Sequence, residues 1–334
     1  MEYYFSKLTS TEQKQYKKVI DAIENGKVSV KFAINITAEV VTKIISAVDY
    51  DHPELFYVDF KRVKYLSTPV GIIYCIDYTV MSSVRKEVIN KMESRIKIVL
   101  EEIKIKEQDS DLDKCRKIHN YLINHIGYHY EALNNSEINS EAFNIRGVFE
   151  ESKAVCEGIS KAYKLLANKL GIKCLVANGV SSMDGFGERI PHAWNIVKIG
   201  NECAHIDVTW DLGLSASSRK NRYDYFLIPD EWITVDHEYF NLPKCKGFTY
   251  SYFAQKKCLF EEINSLKKFL EKDVKNSSKI LYFKILGKNG LPDDIENRIY
   301  KLIKKEISNY IMSSYTMELV PNRRQNVFFV RINN

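Results

Sequence analysis

Apolar residues along the chain recur at helical spacing in some stretches and alternate with polar ones in others. Tyr16, Val19, Ile20 and Ile23 come after Thr9-Ser10-Thr11-Glu12, which reads as a capping box, and the pattern stops at Gly26, so a first amphipathic helix is predicted. Val28, Val30, Phe32, Ile34 and Ile36 alternate with other residues, the period of a half-buried strand. Val40, Val41, Ile44, Ile45 and Val48 return to helical spacing. After the turn at Tyr50-Asp51-His52-Pro53-Glu54, two strand-like runs, 55–65 and 71–80, are separated by Ser67-Thr68-Pro69.

From Ser83 to about Ile105, Val84, Val88, Met92, Ile96, Val99 and Ile103 mark one long helix, and the polar stretch from Lys106 to Asp111 is a boundary. Cys115, Ile118, Leu122 and Ile126 define the next helix, which stops near Gly127. Cys156 opens another, with Ile159, Ala162, Tyr163, Leu166 and Leu170 turned inward and Gly171 as its C-terminal cap. A strand over 174–180 leads into a loop from Ser181 to Arg189, whose Gly185 and Gly187 suit a lid. Strands over 192–199 and 203–210 flank Gly200-Asn201, a turn pair that favours a tight hairpin. A polar, basic loop is expected over 214–223, a strand over 225–227 and a turn of helix near Asp230 to His237.

Past a Lys-rich helical piece at 263–271, Asn276-Ser277-Ser278 forms the second boundary. A strand over 279–286, a helix starting at Pro292-Asp293 and two strands around Asn322 to Asn326 repeat the strand, helix, strand, strand order of residues 28–80. No residue-level similarity accompanies the repeat. The fold class expected is α+β, a helix packed on an antiparallel sheet, with a small α/β module at 1–108, a central domain at 109–260 and a β-α-β-β module at 261–334.

The 334 residues are 45% hydrophobic and 12% aromatic, enough to fill a core. The net charge of +6 is a small difference between 49 basic and 43 acidic residues, and no basic cluster is interleaved with aromatics, so nucleic acid is not an expected partner. The seven cysteines have irregular spacing and no Cys-x-x-Cys pair, which favours free thiols over a disulfide framework or a structural zinc site. The N-terminus lacks a basic region followed by an apolar run, and no window reaches ~18 uncharged apolar residues. No membrane segment is expected. A cytoplasmic protein fits, or a secreted or surface-attached one whose export signal was removed.

Three residues stand out against that background. A thiol at a helix start sits against unpaired N–H groups whose partial positive charge favours thiolate, so Cys156 is a candidate nucleophile. With a two-residue turn at Gly200-Asn201, His192 faces Thr209 and Asp207 faces Trp194, which makes His192 and Asp207 diagonal neighbours roughly 7 to 8 Å apart at the backbone. An odd turn would put them on opposite faces. In that geometry His192 pairs with the thiolate and Asp207 fixes the imidazole tautomer. The backbone N–H of Cys156 is one oxyanion donor; Tyr128, Tyr130 and Trp194 are candidates for the substrate cleft and for the second donor. A metal shared by Cys156, His192, His205 and Asp207 is a minor alternative, and neither a metal nor a cofactor is expected.

The segments Ala-Val-Cys-Glu-Gly at 154–158, His-Ala-Trp-Asn at 192–195 and His-Ile-Asp-Val-Thr-Trp-Asp at 205–211 resemble the three signature blocks of bacterial transglutaminase-like proteins. Tyr225 to Glu231 resembles the stretch downstream of the third block in that family, and Asp51 to Phe56 a motif of the module often found ahead of it. The resemblance implies a papain-like core at 109–260 with Cys156, His192 and Asp207 as the catalytic set. It also implies acyl transfer on amide bonds of a protein or peptide substrate, by hydrolysis or by protein-glutamine transamidation. Some relatives act instead as non-catalytic scaffolds for protein or polysaccharide binding. This chain has Ile159 where many members have Tyr, and Glu151-Ser152-Lys153 where they have a Gly-rich approach.

Overall fold

The computed structural model describes residues 2–135, 139–182, 189–275, 279–287, 290–309 and 314–333. The chain divides into two compact units, Met1–Gly179 with Pro191–Asn201, and Val180–Ile190 with Glu202–Asn334. Its architecture is α+β, with mainly antiparallel sheets.

The first unit begins with the helix Ser10–Glu24, capped as its sequence predicts: the Thr9 side chain accepts from the Glu12 N–H, and the Glu12 carboxylate accepts from the Thr9 N–H. The helix Ala38–Asp51 packs against it. In the adjoining sheet Gly71–Cys75 lies between Ser29–Lys31 and Lys64–Thr68, antiparallel to both. The alternating run over 28–36 thus yields only three strand residues, because Val28 and Ile34 are each 73% exposed and gain nothing from extension. Residues 55–63 are not a strand either. Pro53–Leu55 is a 3-10 turn, and Leu55 to Val58 are all buried, so the run reflects burial on every side and not the half-burial of a pleat.

Further helices occupy Ser82–Glu102, Asp111–His125 and Cys156–Lys169. The last is buried at every position from Gly158 to Ala167, including two lysines. Lys161 lies 2.6 Å from Asp49 and 2.8 Å from Glu157, and Lys164 donates to the carbonyls of Tyr50 and Asp51 at 2.7 and 2.6 Å. These charge-assisted bonds compensate the burial of the two ammonium groups and join the end of the helix Ala38–Asp51 to Cys156–Lys169. The strands Lys173–Ser181 and Ile190–Ile199 are neighbours in the next sheet.

In the second unit the strand Glu202–Ile206 pairs with Phe226–Ile228. Here the sequence expectation fails. The strand predicted to reach Trp210 stops at Ile206, and Val208–Ser218 is a helix with Asp207 as its N-cap. Val208, Trp210, Leu212 and Leu214 happen to alternate, but the Asp207 carboxylate accepts the Trp210 N–H at 3.1 Å and starts a helix. The basic loop expected from 214 is therefore helical through Ser218 and ends at Arg219, which is left-handed at φ +51°. Neither Asp207 nor Thr209 is a ladder residue, so the pairing that set them against Trp194 and His192 does not extend to them. The turn itself is as expected: two residues, Gly200 and Asn201, separate Ile199 from Glu202, and Gly200 takes φ +56°.

The C-terminal sheet has Val327–Asn333 between Ile280–Ile285 and Thr316–Asn322, with Leu259–Phe260 parallel to Ile280–Ile285 at its edge. Ile295, Ile299, Ile303 and Ile307 of the helix Ile295–Ser308 are buried in the same core as Leu281, Phe283 and Phe328. Lys284 is buried there too, donating to the Gln325 carbonyl and lying 4.3 Å over the Trp232 ring. Apart from the edge strand Leu259–Phe260, the sheets near the two ends of the chain share one pairing order, in which the first strand pairs with the third and the third with the second. Residues 183–188 of the loop expected to act as a lid, and residues 276–278 expected as a boundary, lie outside the described residues.

Candidate active site

Cys156 is the first residue of its helix, half-buried, with its thiol free. Val155, the N-cap, makes no side-chain capping bond, which leaves the first turn without the side-chain acceptor a Ser or Asp cap would supply. What fixes this end of the helix is main chain. The Val155 N–H donates to the Ala142 carbonyl at 3.0 Å, and a Cβ at Gly158 would lie 2.4 Å from that same carbonyl and 2.9 Å from the Asn144 carbonyl. Glycine two residues after the cysteine is therefore a steric necessity.

Tyr128 pairs with Ala154 in a short parallel bridge, and its side chain packs on the cluster of Ala132, Ala142 and Val155 beside the Cys156 helix start. The Tyr130 ring meets it edge-on at 4.8 Å and is 63% exposed. His192 is buried on the strand Ile190–Ile199, its ring stacked against the fully buried Trp194 with centroids 5.9 Å apart. Asn195, on the same strand, donates to the carbonyls of Ser160 and Leu175 at 2.9 and 3.2 Å, and the Ser160 hydroxyl donates to the Cys156 carbonyl at 2.7 Å. A buried amide thus ties the strand that carries His192 to the helix that carries Cys156.

A charged group adjoins the thiol. Lys61 rests over the Phe143 ring and lies 3.9 Å from Glu157, which is itself bonded to Lys161. Burial draws the Lys61 ammonium down to about 8 against the pull of Glu157, and Cys156 is among the groups that act on it. Asp49 and Glu157 balance Lys161 and Lys61 only while Lys61 is protonated.

In the second unit Asp207 is fully buried. One oxygen accepts the Trp210 N–H, and the other lies 2.9 Å from Nε2 of His237. Nδ1 of His237 is 2.6 Å from Asp236, whose second oxygen accepts from the Tyr225 hydroxyl at 2.6 Å and from the Gln325 amide at 3.1 Å. The sequence placed Asp236 and His237 merely at the exit of a turn of helix. The one available signal was that a buried aspartate needs a partner.

Residues 100–210 match the family model of the transglutaminase-like superfamily. Over that segment the chain resembles the transglutaminase-like superfamily. Cys156, His192 and Asp207 all fall inside the matched segment, and His237 falls beyond it. The Kyphoscoliosis peptidase of Mus musculus is 28% identical over 116 residues, 33% of this chain and 17% of the relative's own length. A crystal structure described as a TGase is 21% identical, with a TM-score of 0.32 over 54% of this chain and 50% of that one. The chain thus spans half or less of the length of these two relatives.

Proposed function

We propose that the transglutaminase-like domain catalyses cysteine-dependent acyl transfer on amide bonds of proteins or peptides. The Cys156 thiolate attacks the carbonyl carbon, the C–N bond breaks, and His192 delivers its proton to the departing amine, leaving a thioester on Cys156. Asp207 is proposed to hold the imidazole in the productive tautomer. Water then attacks the thioester, giving up a proton to His192, and releases the acid; an amine in place of water gives a cross-link. Hydrolysis is favoured, since the sequence marks no amine-binding subsite.

The position of Cys156 at an uncapped helix start carries this reading, because unpaired N–H groups there favour a thiolate and suit a developing oxyanion. The half-burial of its sulfur-bearing residue and the Asn195 link to the His192 strand support it. The test is iodoacetamide labelling followed by peptide mapping across all seven cysteines, with turnover of a peptide library by wild type and Cys156→Ala. Selective labelling at Cys156 with turnover abolished by Cys156→Ala is expected. Equal labelling of the half-buried Cys75, Cys156 and Cys203 and no Cys156-dependent turnover would leave the domain a binding scaffold.

A further inference from the structure

Away from these residues, the second unit gathers a different set of donors from four segments. His205 sits on the strand Glu202–Ile206, Asp230 opens the short helix Asp230–Ile233, Tyr239 comes directly after the strand His237–Glu238, and Cys245 lies in the extended stretch beyond it. Nε2 of His205 is 2.9 Å from Asp230, the Tyr239 hydroxyl is 2.5 Å from the same Asp230 oxygen and 3.2 Å from His205, and the Cys245 N–H donates to the other Asp230 oxygen at 3.1 Å. The ligand atoms of His205, Asp230 and Cys245 all lie within 4.8 Å of one another.

We propose that His205, Asp230 and Cys245 form a binding site for a divalent cation of the zinc class, with the Tyr239 hydroxyl marking the fourth position. Imidazole nitrogen, carboxylate oxygen and thiolate sulfur are the donors zinc takes, three protein ligands leaving one position for another group. On binding, the Cys245 thiol proton leaves to solvent and the cation takes its place. The dication with one thiolate and one carboxylate is then neutral overall, as a buried site requires. Half-buried Asp230 and Tyr239 open the cluster to entry.

Cys245 joins the network through its backbone N–H to Asp230, and its thiol, which donates to the Pro243 carbonyl at 3.7 Å, also acts on the Asp230 carboxylate. Of the residues weighed as metal ligands from the sequence, His205 belongs to this cluster.

The experiment is titration of the chelator-treated, reduced protein with cobalt(II) in the Cys156→Ala background. One equivalent should bind with a near-ultraviolet thiolate-to-cobalt band and a rise in melting temperature. Cys245→Ser should lose the band and the thermal shift while keeping the wild-type circular dichroism. Tyr239→Phe should keep the band. Absence of the band, or its persistence in Cys245→Ser, would overturn the proposal.

Discussion

Nε2 of His237 lies 2.9 Å from the Asp207 carboxylate, and both residues are buried. Replacing the ring with an aliphatic side chain would take a hydrogen-bond partner from each of two buried carboxylates, Asp207 and Asp236. His237→Leu should therefore lower unfolding free energy by about 3–5 kcal/mol, measured by urea denaturation at neutral pH. The loss should shrink in the His237→Leu/Asp236→Asn double variant, where one of the two charges is gone.

At Gly158 the neighbours of an added Cβ are carbonyl oxygens, which cannot rotate away. Gly158→Ala should cost about 1–3 kcal/mol in chemical denaturation. If Cys156 is the nucleophile, turnover should fall on the order of a hundredfold in the folded fraction, because the helix start must shift to make room. Gly213→Ala, inside the helix Val208–Ser218 with nothing within 4 Å of the added atom, is the control and should leave turnover unchanged while raising stability by about 0.5–1 kcal/mol.

Lys61 supplies the second positive charge beside Glu157. Lys61→Met leaves that cluster with a net negative charge next to Cys156 and should slow alkylation of Cys156 severalfold at pH 7, whereas Lys61→Arg should not. Since the Lys61 ammonium is held to about 8, the difference between wild type and Lys61→Met should fade as pH rises above that value. Rates of mass-resolved labelling across a pH series from mildly acidic to mildly alkaline would show whether it does.

Lys284 carries a pH signature of its own. Burial draws its ammonium down to about 7 against Asp224, Asp236 and Glu231, so over the range from about 7 to its unfolded value of 10.5 the unfolded chain holds more protons than the native one. Stability should then rise with pH through that window. The protonated group costs on the order of 3–5 kcal/mol below it, and nothing above. Lys284→Met should flatten that rise, as read from urea midpoints at the two ends of the window.

Local signals were legible where one stretch of chain contained its whole cause. Thr9 and Glu12 announced a capped helix because both partners lie within one turn. Cys156 to Gly171 was readable from apolar spacing and a terminal glycine, and the strand, helix, strand, strand order near each end of the chain was readable too, whereas which strands pair was not. Residues 207–214 misled because period-two alternation coincided with a capping aspartate, and capping, which acts on the adjacent backbone, prevailed.

What could not be read was set by distant partners. Lys161 and Lys164 look like the solvent face of a helix until the end of the helix Ala38–Asp51 supplies a carboxylate and two carbonyls. His237 is thirty positions from Asp207 and shares no periodicity with it. The same holds for Asn195, whose two acceptors lie on different elements.

The notch at Gly158 also separates reach from recognition. Carbonyls of Ala142 and Asn144 set where the Cys156 helix begins, and backbone oxygens are the same whatever side chains the chain carries. Substitutions at Tyr128, Tyr130 or Lys61 can change what approaches the sulfur while leaving the sulfur where it is. A helix start held in this way keeps its first residue in place through many rewritings of its surroundings.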